Sequence, residues 1–295
     1  MQTSIQSAKI QTLKYYTNAD LQVDVLRLDE IHPIVSGNKW FKLQYYLADA
    51  IQKNKSEIAS FGGAYSNHIV ALAFACQSLN LKCTGFIRGE KSTTPSASLI
   101  AAANYGMNLQ YVNRTDYNNK EALISLHEHP NRYWITEGGY GVLGAQGASK
   151  ILEQLPTNNY THILCSVGSG TMAAGIVNAT TAHQQVIGIS SLKNNADLEE
   201  QVLNLVLNHK KNAFTLLHQY HFGGYAKHPA ELITFMKEFY NKTLIPTDIV
   251  YTGKLFFAME HLIKENYFGS QTKLLVIHCG GLQGNLSLPK GILPF

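Results

Sequence analysis

Phe61-Gly62-Gly63-Ala64-Tyr65-Ser66-Asn67-His68 stands between a short apolar run, Glu57 to Phe61, and Ile69-Val70-Ala71-Leu72-Ala73-Phe74-Ala75. The stretch reads as the strand-to-helix turn of an α/β unit. Paired glycines let the backbone turn sharply and approach a ligand, and Ser66 or Asn67 can cap the helix that follows. Capping explains Ser or Asn; it does not call for Ser, Asn and His together. The same alternation of apolar runs and helical segments continues along the chain. Strands are expected at Val23 to Leu28, Glu57 to Phe61, Lys82 to Ile87, Leu109 to Val112 and Tyr133 to Thr136. Others are expected at His162 to Val167, Val186 to Ile189, Phe214 to Leu217 and Leu274 to Ile277. This is the pattern of an α/β fold with mostly parallel twisted sheets and helices on both faces.

Upstream, Ser36-Gly37-Asn38-Lys39-Trp40-Phe41-Lys42 opens a segment in which Trp40, Leu43, Tyr46, Leu47 and Ala50 recur at helical steps, so a helix is expected to about Gln52. Lys39 then lies at a helix start, where the macrodipole and partial desolvation both favour the neutral amine that Schiff-base chemistry needs. Downstream, Val167-Gly168-Ser169-Gly170-Thr171-Met172-Ala173-Ala174-Gly175 follows an apolar strand and opens another helix. Small residues there expose backbone N–H groups toward one point, which suits a phosphate. The segment lacks the Gly-Lys-Ser/Thr ending of a nucleotide P-loop, and a plain structural turn is its other reading. Tyr251-Thr252-Gly253-Lys254 and His278-Cys279-Gly280-Gly281 complete the set, the latter at a strand's carboxyl end, where open α/β sheets place ligands.

Together, and in this order, these motifs resemble the 1-aminocyclopropane-1-carboxylate deaminase and D-cysteine desulfhydrase family, within the fold type II pyridoxal-phosphate enzymes related to the tryptophan synthase β subunit. The resemblance runs from about Val23 to Gly281. It implies a two-domain architecture, with residues 42–152 inserted as a small domain into a large cofactor-binding one formed by 1–41 and 153–295, and pyridoxal 5'-phosphate between them. It further implies that Lys39 carries the cofactor and exchanges the substrate Cα proton, that Asn67 meets the cofactor's phenolic oxygen, and that Ser66 lies near the substrate carboxylate or Cα. Gly168, Ser169, Gly170, Thr171 and Met172 would hold the phosphate. Thr252 would lie on the cofactor side, and Cys279 by the pyridine nitrogen.

A thiol is a weak donor at that nitrogen and makes the cofactor a milder electron sink, which suits β-elimination. Tyr225 and Tyr251 are expected on the substrate side, where phenols with pKa values lowered beside a cation protonate a leaving group or hold a carboxylate. Thr252 replaces the Glu, and His68 the Gln, of the cyclopropane deaminases. The reading is therefore a lyase acting on a small β-substituted amino acid such as D-cysteine, releasing a 2-oxo acid and ammonia. A cyclopropane-carboxylate deaminase and a non-catalytic pyridoxal-phosphate carrier are the alternatives.

Composition is consistent with an ordinary globular enzyme: 295 residues, 45% hydrophobic, net charge +4. No basic cluster interleaves with aromatics, so no nucleic-acid partner is expected. Met1 to Ile10 lacks an apolar leader core, and no stretch approaches the ~20 apolar residues of a membrane span, so a cytoplasmic protein without a membrane partner is expected. A homodimer is the expected assembly. Cys76, Cys83, Cys165 and Cys279 are scattered, and the histidines show no His-Glu-x-x-His, so no metal is expected.

Overall fold

The computed structural model describes residues 6–153 and 155–295; the leader reading of residues 1–10 falls in part outside them. In chain order, β1 (Lys9–Thr12) and β2 (Leu21–Arg27) lead to α1 (Asn38–Gln52), β3 (Glu57–Gly62), α2 (Asn67–Ser78), β4 (Lys82–Arg88) and α3 (Ala97–Asn104). Then come β5 (Met107–Val112), α4 (Arg114–Tyr117), α5 (Lys120–His127), β6 (Arg132–Ile135) and α6 (Val142–Glu153). The rest comprises β7 (His162–Val167), α7 (Thr171–Ala179), β8 (Gln185–Ser190), α8 (Leu198–Leu203), β9 (Phe214–Leu217), α9 (Ala230–Thr243), α10 (Thr252–Lys264) and β10 (Thr272–His278).

Two sheets result: a six-stranded one in the order β1-β2-β10-β7-β8-β9 and a four-stranded one in the order β5-β4-β3-β6. Every pairing is parallel except β1 with β2. The strands therefore need cover on both faces, and β3, β7 and β10 are buried along nearly their whole length, as unbroken apolar runs require. β1 is the one strand the sequence reading did not anticipate. Its four residues, Lys-Ile-Gln-Thr, alternate too briefly to register as a strand and lie on a sheet edge.

Helix α1 belongs to both cores. Phe41 packs with the cluster under the six-stranded sheet, whereas Leu43, Tyr46, Leu47 and Ala50 pack with the cluster under the four-stranded one. A division at 41/42 cuts this helix in its first turn. Close backbone approach fixes α1, α6 and α7 together: a β-carbon at Gly147 would strike the Phe41 carbonyl, and one at Gly175 would strike the Ala145 carbonyl. No helix among the described residues is long and apolar enough to cross a membrane.

Candidate active site

The carboxyl ends of β3, β7 and β10 converge beside the start of α1. Gly37, at φ +69°, lets the chain press against the end of β10: a β-carbon there would overlap the Cys279 carbonyl, and Asn38 N–H donates to that same oxygen at 3.1 Å. Lys39 follows in the first turn, half-buried, its Nζ donating to Asn38 Oδ1 at 2.7 Å. Burial lowers its pKa, with Cys279 and Asp248 pulling it partly back.

Ser66 caps α2, its Oγ accepting from Ile69 N–H at 3.3 Å; loss of such a cap costs about 1 kcal/mol. Asn67 Nδ2 donates to the Gly281 carbonyl at 3.0 Å, tying the β3 turn to the β10 turn, while its Oδ1 is buried without a partner among the described residues. His68 is buried, with Nε2 2.8 Å from Ser60 Oγ. Burial, reinforced by Lys42 and Lys39, pushes its pKa down to about 3, so it is neutral.

Lys42 is the site residue the sequence reading passed over as one more member of its motif. It is 4% exposed, one helical turn after Lys39, and its ammonium donates to the Gly138 carbonyl and to no carboxylate among the described residues. Burial lowers its pKa well below the ordinary value, and Lys39 lowers it further. Gly138 and Gly139 both have positive φ, and their turn lies against the glycine loop after β7: a β-carbon on Gly138 would be 3.6 Å from Ser169 Oγ.

In that loop Gly170 is left-handed, φ +82°, and α7 begins at the next residue. Ser169 and Thr171 hydroxyls are 3.3 Å apart. The Met172 side chain turns away into the core and receives Asn38 Nδ2 on its sulfur at 3.2 Å, so it joins the loop to the lysine helix and leaves only its backbone to a ligand.

Tyr251 closes the opposite side. Its ring lies against the loop, 2.9 Å from where a Gly168 β-carbon would sit, and meets Tyr225 edge-on with centroids 6.2 Å apart. Thr252 is fully buried, its hydroxyl donating to Asp248 Oδ1 at 2.7 Å and accepting from Asp248 N–H at 2.7 Å, so its hydroxyl is engaged within the protein. One expectation needs correcting here. The phenols do not have lowered pKa values. Burial pushes both up, and at Tyr251 the neighbouring Tyr225 and Asp248 add to it, so both are held protonated.

Asp248 is the second residue missed. It takes the N–H groups of Val250, Tyr251 and Thr252 on its two oxygens and so fixes the turn that aims Tyr251. Cys279 is buried, and burial pushes its thiol up to about 11 against the pull of Lys39. Among the described residues no group of three or more His, Cys, Asp or Glu is placed to hold a metal ion.

The donor set suits pyridoxal 5'-phosphate. The N–H groups opening α7, the Ser169 and Thr171 hydroxyls and Lys42 Nζ, whose partner among the described residues is the Gly138 carbonyl, form a donor set that suits a phosphate dianion. Asn67 Oδ1 and His68 Nδ1, buried without a partner among the described residues, leave hydrogen-bonding capacity near Lys39 and Lys42. Gly170→Ala should weaken cofactor binding about tenfold, because a β-carbon in the left-handed region costs ~1–2 kcal/mol per residue. Equilibrium dialysis measures this; unchanged affinity would make the loop a plain turn.

The family model described as "Pyridoxal-phosphate dependent enzyme" matches residues 11–280. A putative 1-aminocyclopropane-1-carboxylate deaminase of Thermotoga maritima is 29% identical over 96% of this chain and 94% of its own length. The bifunctional D-cysteine desulfhydrase/1-aminocyclopropane-1-carboxylate deaminase, mitochondrial, of Arabidopsis thaliana is 27% identical over 85% of this chain and 70% of its own. Among solved structures, a homologue of 1-aminocyclopropane-1-carboxylate deaminase superposes with a TM-score of 0.81 at 23% identity, covering 96% of this chain and 92% of that one, a likeness of fold.

Proposed function

Since the chain belongs to the pyridoxal-phosphate dependent enzymes, we propose that it is a lyase removing the β-substituent of a small amino acid, with D-cysteine the first candidate. When bound, pyridoxal 5'-phosphate supplies a carbonyl that takes up an amine and a conjugated ring that spreads the charge left at the carbon losing its proton. Lys39 is the amine positioned to carry the cofactor and afterwards to hold the Cα proton, being uncharged more readily than a solvated lysine. Lys42 and the Gly168-to-Met172 loop would hold the phosphate end, Asn67 would meet the ring oxygen, and Cys279, a thiol that burial keeps protonated, would meet the ring nitrogen. Ser66, at the N-terminus of α2, orients the substrate carboxylate.

The observation that carries the reading is Tyr251: a phenol kept protonated by burial and braced by Asp248 against the phosphate loop, and therefore a fixed hydrogen-bond donor for the charge that develops on a departing β-thiol. Residues 42–152, which contain β3 to β6, are proposed as the smaller of two bodies, and a homodimer as the assembly, to be read by sedimentation.

Ring opening of 1-aminocyclopropane-1-carboxylate is the second reading, favoured by the name of the Thermotoga maritima relative. One assay separates them: release of sulfide and 2-oxo acid from D- and L-cysteine, β-chloroalanine, serine and the cyclopropane acid, with cofactor loading measured alongside. Sulfide from one cysteine enantiomer and an untouched cyclopropane acid is expected. Efficient ring opening would reverse the order, and fully loaded protein that turns over none of them would be a carrier.

A further inference from the structure

Lys254 lies in the first turn of α10, fully buried, and the site described above does not use it. Its ammonium donates to the Gly224 carbonyl at 2.7 Å and reaches the Ser191 carbonyl at 3.5 Å, and to no carboxylate among the described residues. A buried ammonium at a helix N-terminus is disfavoured twice, by desolvation and by the macrodipole. Burial pushes its pKa down to about 8 despite the attraction of Asp248. An apolar side chain of the same length would remove the desolvation cost, so the ammonium has to be doing something that such a residue cannot.

What it holds is a segment under backbone strain. Phe222, Gly223, Gly224 and Ala226 have φ of +51°, +90°, +120° and +55°, two of them non-glycine, and Tyr225 stands among them. Local bonds close the turn: His221 Nδ1 accepts from Gly223 N–H at 2.9 Å, and Gly224 N–H donates to the His221 carbonyl at 2.9 Å. Those bonds shape the turn but do not attach it to the body of the protein. Phe222 packs edge-on against Phe257 of α10 at 4.7 Å between centroids, and the Lys254 bond to Gly224, from the start of the same helix, fixes the backbone immediately before Tyr225.

We propose that Lys254 is a positioning residue: its ammonium tethers the strained 222–226 turn so that the half-exposed Tyr225 is presented edge-on to Tyr251 at the substrate side of the cleft. The assignment rests on the reading of that cleft as a substrate site, but its structural part can be measured without turnover. In cofactor-loaded protein, Lys254→Met should speed hydrogen exchange of residues 221–227 roughly 10- to 100-fold, the range expected for loss of a charged hydrogen bond. Exchange in β8 and α10 should stay as in the wild type. Lys254→Arg should restore part of the protection, and Lys254→Gln, which keeps one donor, should give a smaller change confined to the same segment and serves if the Met variant does not fold.

With a turned-over substrate, Lys254→Met should raise KM several-fold, and adding Tyr225→Phe should bring little further change, because both act through one phenol. Unchanged exchange at 221–227, or a rise spread evenly over the molecule, would overturn the tether. Local loosening with additive kinetic effects of the two substitutions would overturn its link to Tyr225. If no amino acid is turned over, the exchange results still decide the tether.

Discussion

Lys39→Ala should leave a folded protein that still takes up pyridoxal 5'-phosphate but turns its substrate over at least ~1,000-fold more slowly. The loss combines a covalent attachment point with a proton carrier worth ~100- to 10,000-fold alone. Binding should survive in part because, on the proposed reading, Lys42 and the loop opening α7 would hold the phosphate end independently of Lys39. Borohydride reduction of loaded wild-type protein, followed by peptide mapping, should place the cofactor on the peptide carrying Lys39. A label on Lys42 or Lys254 would sink the assignment. Lys42 is the sharper competitor, because it lies on the same helix one turn on and has the more strongly lowered pKa.

For Tyr251→Phe, elimination should slow by ~100- to 10,000-fold with cofactor affinity unchanged, since the ring that packs against Gly168 is kept and only the proton donor is lost. The phenol's pKa lies above its ordinary value of about 10, so it stays protonated below that pH. The wild-type rate should therefore show no falling limb from this group up to about pH 9. A Phe variant of near wild-type rate would shift the donor role to Tyr225, whose pKa burial also raises.

The interior strands were legible because parallel strands covered on both faces leave unbroken apolar runs, and the pyridoxal-phosphate family was legible because its motifs are local. Lys39, Ser66-Asn67-His68 and the Gly168-to-Met172 loop each sit at a strand end or helix start that the sequence marks by itself. What escaped notice depends on tertiary contact. Asp248 looks like an ordinary loop acid before α10, and only the fold shows its two oxygens collecting the N–H groups of the next turn. Thr252 likewise has its hydroxyl claimed by Asp248, a contact that its motif position does not announce. Lys42 and Lys254 carry no mark of burial in their sequence neighbourhoods, although Lys42, at i+3 from Lys39, shares that residue's helix face. The glycine turn at Gly138 and Gly139 became meaningful only once Ser169 was found beside it.

Strand β10 lies in the middle of its sheet, between β2 and β7, although it follows both of them, and every other described strand, in the chain. Until residues 272–281 leave the ribosome, β2 and β7 expose unpaired inner edges, Asn38 and Asn67 lack the carbonyls they bind, and Cys279 is missing. Premature termination before β10 would leave both inner edges open and so yield an aggregation-prone fragment rather than a weaker enzyme.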